Sequence, residues 1–344
     1  METQTKLKIA LDVMGGDYAP QNTVAGALEA LRQARNRFSI ILVGREDAIQ
    51  EELRKHQAKG MSHSVVHASE VITFDDTPTV ALKAKKQSSI VVGMTLHKEG
   101  KVDAFVSAGN TGAVLSASTL ILGRIEGVGR PTIGTFFPSE RGTCILLDAG
   151  ANVDCRPHHL LEFAIMGSVY ARQILHYENP TVGLLNVGEE ASKGGAQLQE
   201  AFSLLSQSSL NFIGNVEGCD ILQGKAQVVV CDGFVGNVVL KFGESVIGML
   251  RKRLVEYARG GFLSKLRARI SYGVLKKIMS DFDYQEYGGV PVLGVQGVCI
   301  IGHGQSTPKA VQNMILRAEE TILHNISGQI RNALQVTVAE RHGE

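Results

Sequence analysis

Five short loops rich in glycine and polar residues contain the side chains of this sequence that could bind or transfer a charged group. They span residues 12–20, 107–113, 147–152, 186–194 and 231–237, and each lies where an apolar run ends. Glycines at such a point let backbone N–H groups approach an anion, and the N-terminus of a following helix favours negative charge. The first two loops therefore predict a phosphate-type site. For the first loop the alternative is a tight turn in which Asp17 caps the following helix.

Two further residues could act on a bound phosphate. Lys193 is a lone lysine in a glycine-rich loop, where it would serve as a point charge for phosphate, and a solvated surface lysine is the alternative. His303 lies between two glycines after the apolar run 298–301. That position is consistent with a proton-transfer or phosphate-orienting role, and equally with a hydrogen-bonded histidine in a turn.

Common catalytic motifs are absent: the sequence has no G-x-G-x-x-G, G-x-x-x-x-G-K-[ST], G-x-S-x-G or H-E-x-x-H. A standard dinucleotide site, P-loop or serine hydrolase therefore has no motif support. His158, His159 and Glu162 have ligand-type side chains, but no third cluster accompanies them. We interpret them as surface residues of a helix and predict no metal site and no cofactor.

The elements that must position these loops are short strands and helices. The apolar runs are typical of buried strands, and segments of helical length separate most of them, which indicates βαβ units. We therefore predict an α/β protein with a doubly wound, largely parallel sheet in a Rossmann-like α/β/α sandwich, formed by one large catalytic domain over residues 1–344. The predicted strands are residues 9–13, 40–43, 104–106, 144–147, 182–185, 228–230 and 298–301.

The composition excludes several classes of protein. Hydrophobic residues make up 44% and charged residues 20% of the 344 residues, so a disordered or collagen-like chain is excluded. A formal net charge of +1 is too balanced for the surface to bind nucleic acid as a polycation. The five widely spaced cysteines suit a reducing compartment. Because Asp12 interrupts the first apolar run, we expect no secretion signal and a cytoplasmic protein.

Taken in order, the loops resemble the bacterial phosphate acyltransferase family of phospholipid synthesis, the PlsX family. The resembling segments cover nearly the whole chain, and seven of them in order are far more specific than any one alone. The departures are minor and concern Val290, Val292 and Gln305. The segments are ALDVMGGD (10–17), SAGNTGA (107–113), LDAGAN (147–152), GLLNVGEE (183–190), GNVEG (214–218), CDGFVGN (231–237) and YGGVP (287–291).

The resemblance implies reversible transfer of a long-chain fatty acyl group from acyl carrier protein to inorganic phosphate, which forms acyl phosphate for phospholipid synthesis. It also implies a fold similar to phosphate acetyltransferases and isocitrate-dehydrogenase-like enzymes, a homodimer, and hand-over of the product to a membrane glycerol-3-phosphate acyltransferase. With it, we expect Lys193, Asn237 and His303 to be catalytic. The residues expected to bind substrate or phosphate are Gly15, Gly16, Asp17, Ser107, Asn110, Thr111, Gly112, Asp148, Asn152, Glu189 and Asp232.

One basic segment could hold a partner. Residues 251–277 contain nine basic residues and one acidic residue, and their helical spacing predicts an amphipathic helical hairpin inserted at residues 245–283. We expect it to contact acyl carrier protein or the inner face of the membrane peripherally, with packing across the dimer or onto the sandwich as the alternative. The contact residues are Leu263, Lys265, Leu266, Arg267, Arg269, Ile270 and Lys276.

Two other functions compete with acyl transfer. A nicotinamide-dependent decarboxylating dehydrogenase on a related fold would use Asp148 and Asp154 as metal ligands. A non-catalytic membrane or carrier-protein adaptor would need the basic hairpin alone, and five polar loops exceed what an adaptor requires.

Phosphate is already anionic at neutral pH and a thiol has a pKa of about 8.5, so direct attack of phosphate on a thioester needs no covalent nucleophile.

Overall fold

The computed structural model describes residues 6–258 and 287–342. Within them, the strands form one eleven-stranded sheet in the order β3-β2-β1-β4-β11-β10-β5-β6-β9-β7-β8. The strands are β1 (Lys8–Asp12), β2 (Ser39–Gly44), β3 (His63–His67), β4 (Ala104–Ser107), β5 (Thr132–Ser139), β6 (Gly142–Leu147), β7 (Val182–Leu185), β8 (Phe212–Val216), β9 (Val228–Val230), β10 (Val290–Leu293) and β11 (Val298–Ile301).

Helices connect most of these strands. They are α1 (Gln21–Gln33), α2 (Glu46–Lys55), α3 (Pro78–Ala84), α4 (Ser89–Lys98), α5 (Thr111–Ala117), α6 (Pro157–Gln173), α7 (Ala196–Ser206), α8 (Asp220–Gln223), α9 (Gly233–Ala258), α10 (Pro308–Leu323) and α11 (Ile326–His342). A π-helical turn, Ser118–Leu122, continues α5.

Both faces of the sheet are covered by helices, which explains the continuous apolar runs. In β1, Ile9 and Leu11 join one buried cluster and Ala10 joins the cluster on the opposite face. In β6, Ile145 and Cys144 divide between two other clusters in the same way. Successive side chains of a strand point to opposite faces, so a strand buried on both faces is apolar throughout. The predicted α/β fold with a large, largely parallel sheet is confirmed.

The sheet consists of two parallel halves joined by antiparallel pairs. Strands β3, β2, β1, β4 and β11 run parallel to one another, as do β6, β9, β7 and β8. Between the halves, β10 is antiparallel to β11 and to β5, and β5 is antiparallel to β6. The two halves therefore run in opposite directions, which alternating strand and helix patterns do not indicate.

Four strands escaped prediction from the sequence because residues that disfavour strands interrupt them or because they lie at an edge. Pro138 is part of β5 and Pro291 is part of β10. A proline within an apolar run argues against a central strand when only the sequence is known. The other two, β3 and β8, are the edge strands of the sheet. They are only partly buried, so their apolar pattern is weak.

Helix α9 begins at Gly233, twelve residues before the predicted hairpin at residues 245–283, and continues into it. Its stretch Gly233–Tyr257 is long and apolar enough to cross a membrane by length and composition, which alone is weak evidence for a span. Only 11% of the most apolar 18-residue stretch of α9 is buried, so α9 is not a core helix. The rest of the hairpin lies outside the described residues, with Leu263, Lys265, Leu266, Arg267, Arg269, Ile270 and Lys276.

Candidate active site

A cavity of about 540 Å³ lies between loops of the two halves of the sheet. The half that contains β1 contributes Asp17, Phe74 and Thr111, and the half that contains β6 contributes Gly150 and Asn237. The central antiparallel strands and their neighbours complete the wall, together with the segment after β11. These residues are Ile133, Thr135, Phe136, Tyr287, Gly289, Val290, Ile301, Gly302, His303, Gly304 and Gln305.

Asp12, which sequence reasoning did not select, organises the first glycine loop. Its carboxylate accepts hydrogen bonds from Ser107 Oγ at 2.7 Å and from the Met14 N–H at 3.1 Å. Complete burial raises the pKa of this carboxyl above its usual value, against the opposing effect of those hydrogen bonds. A Cβ at Gly15 would lie 2.5 Å from Asp12 Oδ2 and 2.7 Å from Gly109 N. The first two glycine loops are therefore packed directly against each other.

Ser107 and Asn110, two predicted phosphate donors of the second loop, make hydrogen bonds within the protein in this structure. Ser107 is fully buried and receives the Gly109 N–H as well as donating to Asp12. Asn110 caps α5 by accepting the Ala113 N–H, and its Nδ2 donates to the carbonyls of Thr73 and Asp76. Asn110 thus positions the loop that carries Phe74.

The remaining predicted residues of these loops divide between the cavity wall and the packing behind it. Asp17 and Thr111 line the cavity, and the Asp17 N–H donates to the Gly304 carbonyl at 2.7 Å. Gly16 has a φ of +110° and approaches the same Gly304 carbonyl. Gly112 packs against Pro78, so α5 and α3 lie in contact.

Asp148 plays the same role in the other half of the sheet as Asp12 does in the first. Its buried carboxylate accepts the N–H groups of Gly150, Ala151 and Asn152 at 2.7–3.2 Å and also Asn152 Nδ2 at 2.8 Å. Burial raises the pKa of this carboxyl. Asn152 donates in addition to the Pro131 carbonyl. The N–H groups of its own loop enclose the Asp148 carboxylate, which is therefore not available as the metal ligand that the dehydrogenase alternative requires of it.

Helix α9 presents one face to the cavity. Asn237, Leu240, Lys241 and Glu244, spaced at i, i+3, i+4 and i+7, line it together. The start of the helix is fixed to the Asp148 loop, because the Gly233 N–H donates to the Asn152 carbonyl at 2.7 Å. Asp232 caps α9 by accepting the Val235 N–H. It lines a second, smaller cavity of about 310 Å³ instead of the first.

Lys241 was not predicted from the sequence, although a signal for it exists. The sequence places it four residues after Asn237, which is the same helix face once α9 is recognised to start at Gly233. Its Nζ lies 2.9 Å from Glu244 Oε2. Phe136 and Tyr287 were also missed, and their rings stack at 5.6 Å between centroids.

Lys193 and Glu189 lie on the loop after β7 and are not among the described residues that line the main cavity. Lys193 Nζ is 3.8 Å from Glu190 Oε2, and Glu189 pairs with Lys225. The structure therefore brings together Asp17, Thr111, Asn237 and His303, and leaves Lys193 and Glu189 outside that group.

His303 faces the cavity and accepts the Gln305 N–H at Nδ1. A neutral ring with that acceptor carries its proton on Nε2. The thiols offer no competing nucleophile in the described core, since burial raises the pKa of Cys144 and Cys155 to about 12.

The three ligand-type residues near the start of α6 also have structural roles. His159 is buried rather than on the surface as expected, and its Nδ1 accepts the Arg156 N–H. Glu162 accepts the Gly129 N–H. The described residues contain no cluster of three metal-ligating side chains.

Comparison with known proteins identifies relatives over almost the full chain. A family model described as fatty acid synthesis protein matches residues 7–329. A phosphate acyltransferase of Chlorobaculum parvum is 47% identical over 333 residues, which are 94% of this chain and 98% of that protein. Another, from Desulforudis audaxviator, is 48% identical over 328 residues, 95% of this chain and 96% of that protein.

A solved phosphotransacetylase from Streptococcus pyogenes superimposes with a TM-score of 0.60 at 15% identity, over 92% of this chain and 94% of its own. That likeness shows the fold alone. The family follows from the near full-length sequence matches. The chain belongs to the fatty acid synthesis protein family, in which these relatives are named phosphate acyltransferases.

Proposed function

We propose that this enzyme transfers a long-chain fatty acyl group, reversibly, from the thioester of acyl carrier protein to inorganic phosphate. A phosphate oxygen attacks the thioester carbonyl carbon, the C–S bond breaks, and the departing thiolate takes up a proton. The products are acyl phosphate and free carrier protein. The names of the relatives support acyl transfer to phosphate, and the long chain and the carrier protein are the further content of the proposal.

The observation that carries this proposal is the mixed character of the cavity. Asn237 and Thr111 supply hydrogen-bond donors, and His303 supplies an Nε2–H where its ring is neutral. Ile133, Phe136, Leu240, Val290 and Ile301 supply an apolar wall in the same space. A substrate that joins a charged head to a hydrocarbon chain needs both.

The reaction requires positioning and charge stabilisation more than a covalent group. Phosphate is an anionic nucleophile at neutral pH, and a thiol of pKa about 8.5 is a good leaving group. Donors held rigidly around the carbonyl oxygen lower the barrier because they need no reorganisation during the reaction. The buried carboxylates of Asp12 and Asp148 hold the loops that carry Asp17 and Gly150 to the cavity.

The test is consumption of a long-chain acyl thioester of acyl carrier protein with and without inorganic phosphate. We expect free thiol and a hydroxylamine-trappable acyl phosphate to appear only with phosphate. Thiol release at the same rate in phosphate-free buffer would identify a thioesterase. Complete absence of turnover, with the carrier protein still bound, would favour the adaptor.

The location and assembly belong to the same proposal: a cytoplasmic homodimer in peripheral contact with the inner face of the membrane, which hands acyl phosphate to a membrane glycerol-3-phosphate acyltransferase. Helix α9 supports it. Phe234, Val238, Phe242 and Met249 are all more than half exposed and fall within an arc of about 80° on a helical wheel. The cavity-facing residues occupy a different arc of the same helix.

Vesicle flotation and sedimentation separate the possible uses of the predicted hairpin at residues 245–283, into which α9 leads. We expect Leu263→Glu with Leu266→Glu to release the protein from anionic vesicles while turnover of soluble substrate persists. We expect Arg267→Glu with Arg269→Glu to weaken binding to vesicles and carrier protein in a salt-dependent way. If neither double substitution changes these affinities and the dimer dissociates, the segment serves oligomerisation.

A further inference from the structure

Helix α9 places a lysine in the cavity that nothing above assigns to the reaction. Lys241 lies one turn after Asn237 on the same face, so the two side chains start about 5–6 Å apart. A phosphate held by Asn237 is therefore within reach of the Lys241 ammonium. Among the described residues that line the cavity, Lys241 is the single lysine or arginine.

The charge of the wall makes this lysine decisive for an anionic substrate. The described lining contains two carboxylates, Asp17 and Glu244, against the one ammonium. Without Lys241 those two carboxylates would repel a phosphate dianion from the cavity. Lys193 cannot replace it in this conformation, because it lies outside the cavity beside Glu190.

We infer that Lys241 binds the phosphate, and that it exchanges Glu244 for the phosphate when the substrate enters. The Lys241–Glu244 pair is an i,i+3 pair on a helix surface, with the side chains 59% and 39% exposed. Such exposed pairs contribute little to stability. An ammonium bonded to a dianion in a half-enclosed cavity gains more, because the bond is charge-assisted and less screened by water.

The kinetic test of this inference rests on the proposed function. Direct binding of inorganic phosphate tests it independently of any turnover. We expect Lys241→Gln to raise the KM for phosphate about 10- to 100-fold, which is the range of one lost charge-assisted hydrogen bond, with the KM for the acyl thioester much less affected. Lys241→Arg keeps the charge and restores most of the affinity. Calorimetric titration of inorganic phosphate into the protein without thioester shows the same order of affinities.

Glu244→Gln gives the opposite shift. It removes the carboxylate that competes for the ammonium, so the KM for phosphate falls a few-fold. Lys98→Gln is the matched control, because Lys98 is an exposed lysine of α4 outside the cavity, and it leaves the KM for phosphate unchanged.

An unchanged KM and an unchanged binding constant in Lys241→Gln overturn the inference, as does a rise in KM in Glu244→Gln as large as that in Lys241→Gln. A large effect of Lys193→Gln with none of Lys241→Gln assigns the phosphate to Lys193 instead. If the wild-type protein binds phosphate but shows no phosphate-dependent thioester consumption, the proposed function fails while the Lys241 site is still tested by calorimetry.

Discussion

The contact between Gly236 and the Asp148 loop gives a sharp test of how α9 is positioned. A Cβ built on Gly236 would run into the carbonyl oxygen of Asp148, far inside the 3.0 Å that Cβ atoms keep from other atoms, and would lie 3.0 Å from Cys231 Sγ. An ordinary carbon–oxygen approach is about 3.3 Å. Gly236→Ala must therefore push the start of α9 away from the loop by more than about 1 Å.

The displacement carries Asn237 with it, because Asn237 is the next residue of the helix. A misplacement of about 1 Å in a positioned group costs on the order of 10²-fold in rate. We therefore expect kcat/KM for phosphate-dependent thioester consumption to fall about 100-fold in Gly236→Ala. The overpacked contact also lowers the free energy of unfolding by about 1–3 kcal/mol.

Gly248→Ala is the matched control on the same helix. A Cβ at Gly248 meets no atom within 4 Å, and alanine in a helix interior is favoured over glycine by about 0.5–1 kcal/mol. We expect unchanged kinetics and equal or higher stability in urea denaturation. Wild-type kcat/KM in Gly236→Ala, with Gly248→Ala equally active, would refute the reasoning that this close approach positions Asn237.

Three further predictions follow from named contacts. Asn237→Ala, measured as initial rates on protein with an unchanged circular dichroism spectrum, should lose about 10²- to 10³-fold in kcat/KM, and a loss below tenfold would remove it from the site. Asp148→Asn should lower the free energy of unfolding, measured in urea, by roughly 2–4 kcal/mol. At least two hydrogen bonds of about 1.5–3 kcal/mol are lost, and the smaller cost of burying an uncharged group offsets part of that loss. Equal stability of the variant and the wild type would contradict the role of Asp148 in the loop. Burial lowers the pKa of His159 to about 4. Below pH 6.5 the unfolded chain therefore binds more protons than the folded protein. The free energy of unfolding falls from pH 6.5 toward pH 4 by at most about 1.4 kcal/mol per pH unit. His159→Asn should lack that slope in urea titrations, and an identical slope would assign it to other groups.

The sequence allowed prediction of those parts of the fold that depend on burial alone. All seven predicted strands are confirmed. They could be recognised because a strand covered on both faces is apolar along its length. The antiparallel centre could not be predicted. The pairing of β5 with β10 joins segments that are far apart in the sequence, and Pro138 and Pro291 make the two strands hard to recognise.

The candidate site divides in a similar way. Asn237 and His303 follow buried strands, so their convergence at one cavity agrees with the general rule for ligand sites in such sheets. Asp12 is the last residue of a buried strand and Asp148 directly follows another, yet both carboxylates accept hydrogen bonds from backbone N–H groups. Residue type and position are the same for a substrate ligand and for a residue that organises a loop. Only the hydrogen-bond partners separate the two roles.

The position of β10 and β11 in the centre of the sheet has a consequence for biosynthesis. These strands come from residues 290–301, yet they lie between β4, which ends at Ser107, and β5, which begins at Thr132. A nascent chain that has left the ribosome only as far as residue 289 therefore presents two unpaired strand edges, on β4 and on β5, and no closed cavity. Unpaired edges invite pairing with other chains. Closure of the sheet, and protection of these edges from other chains, therefore wait until residues 290–301 have been synthesised.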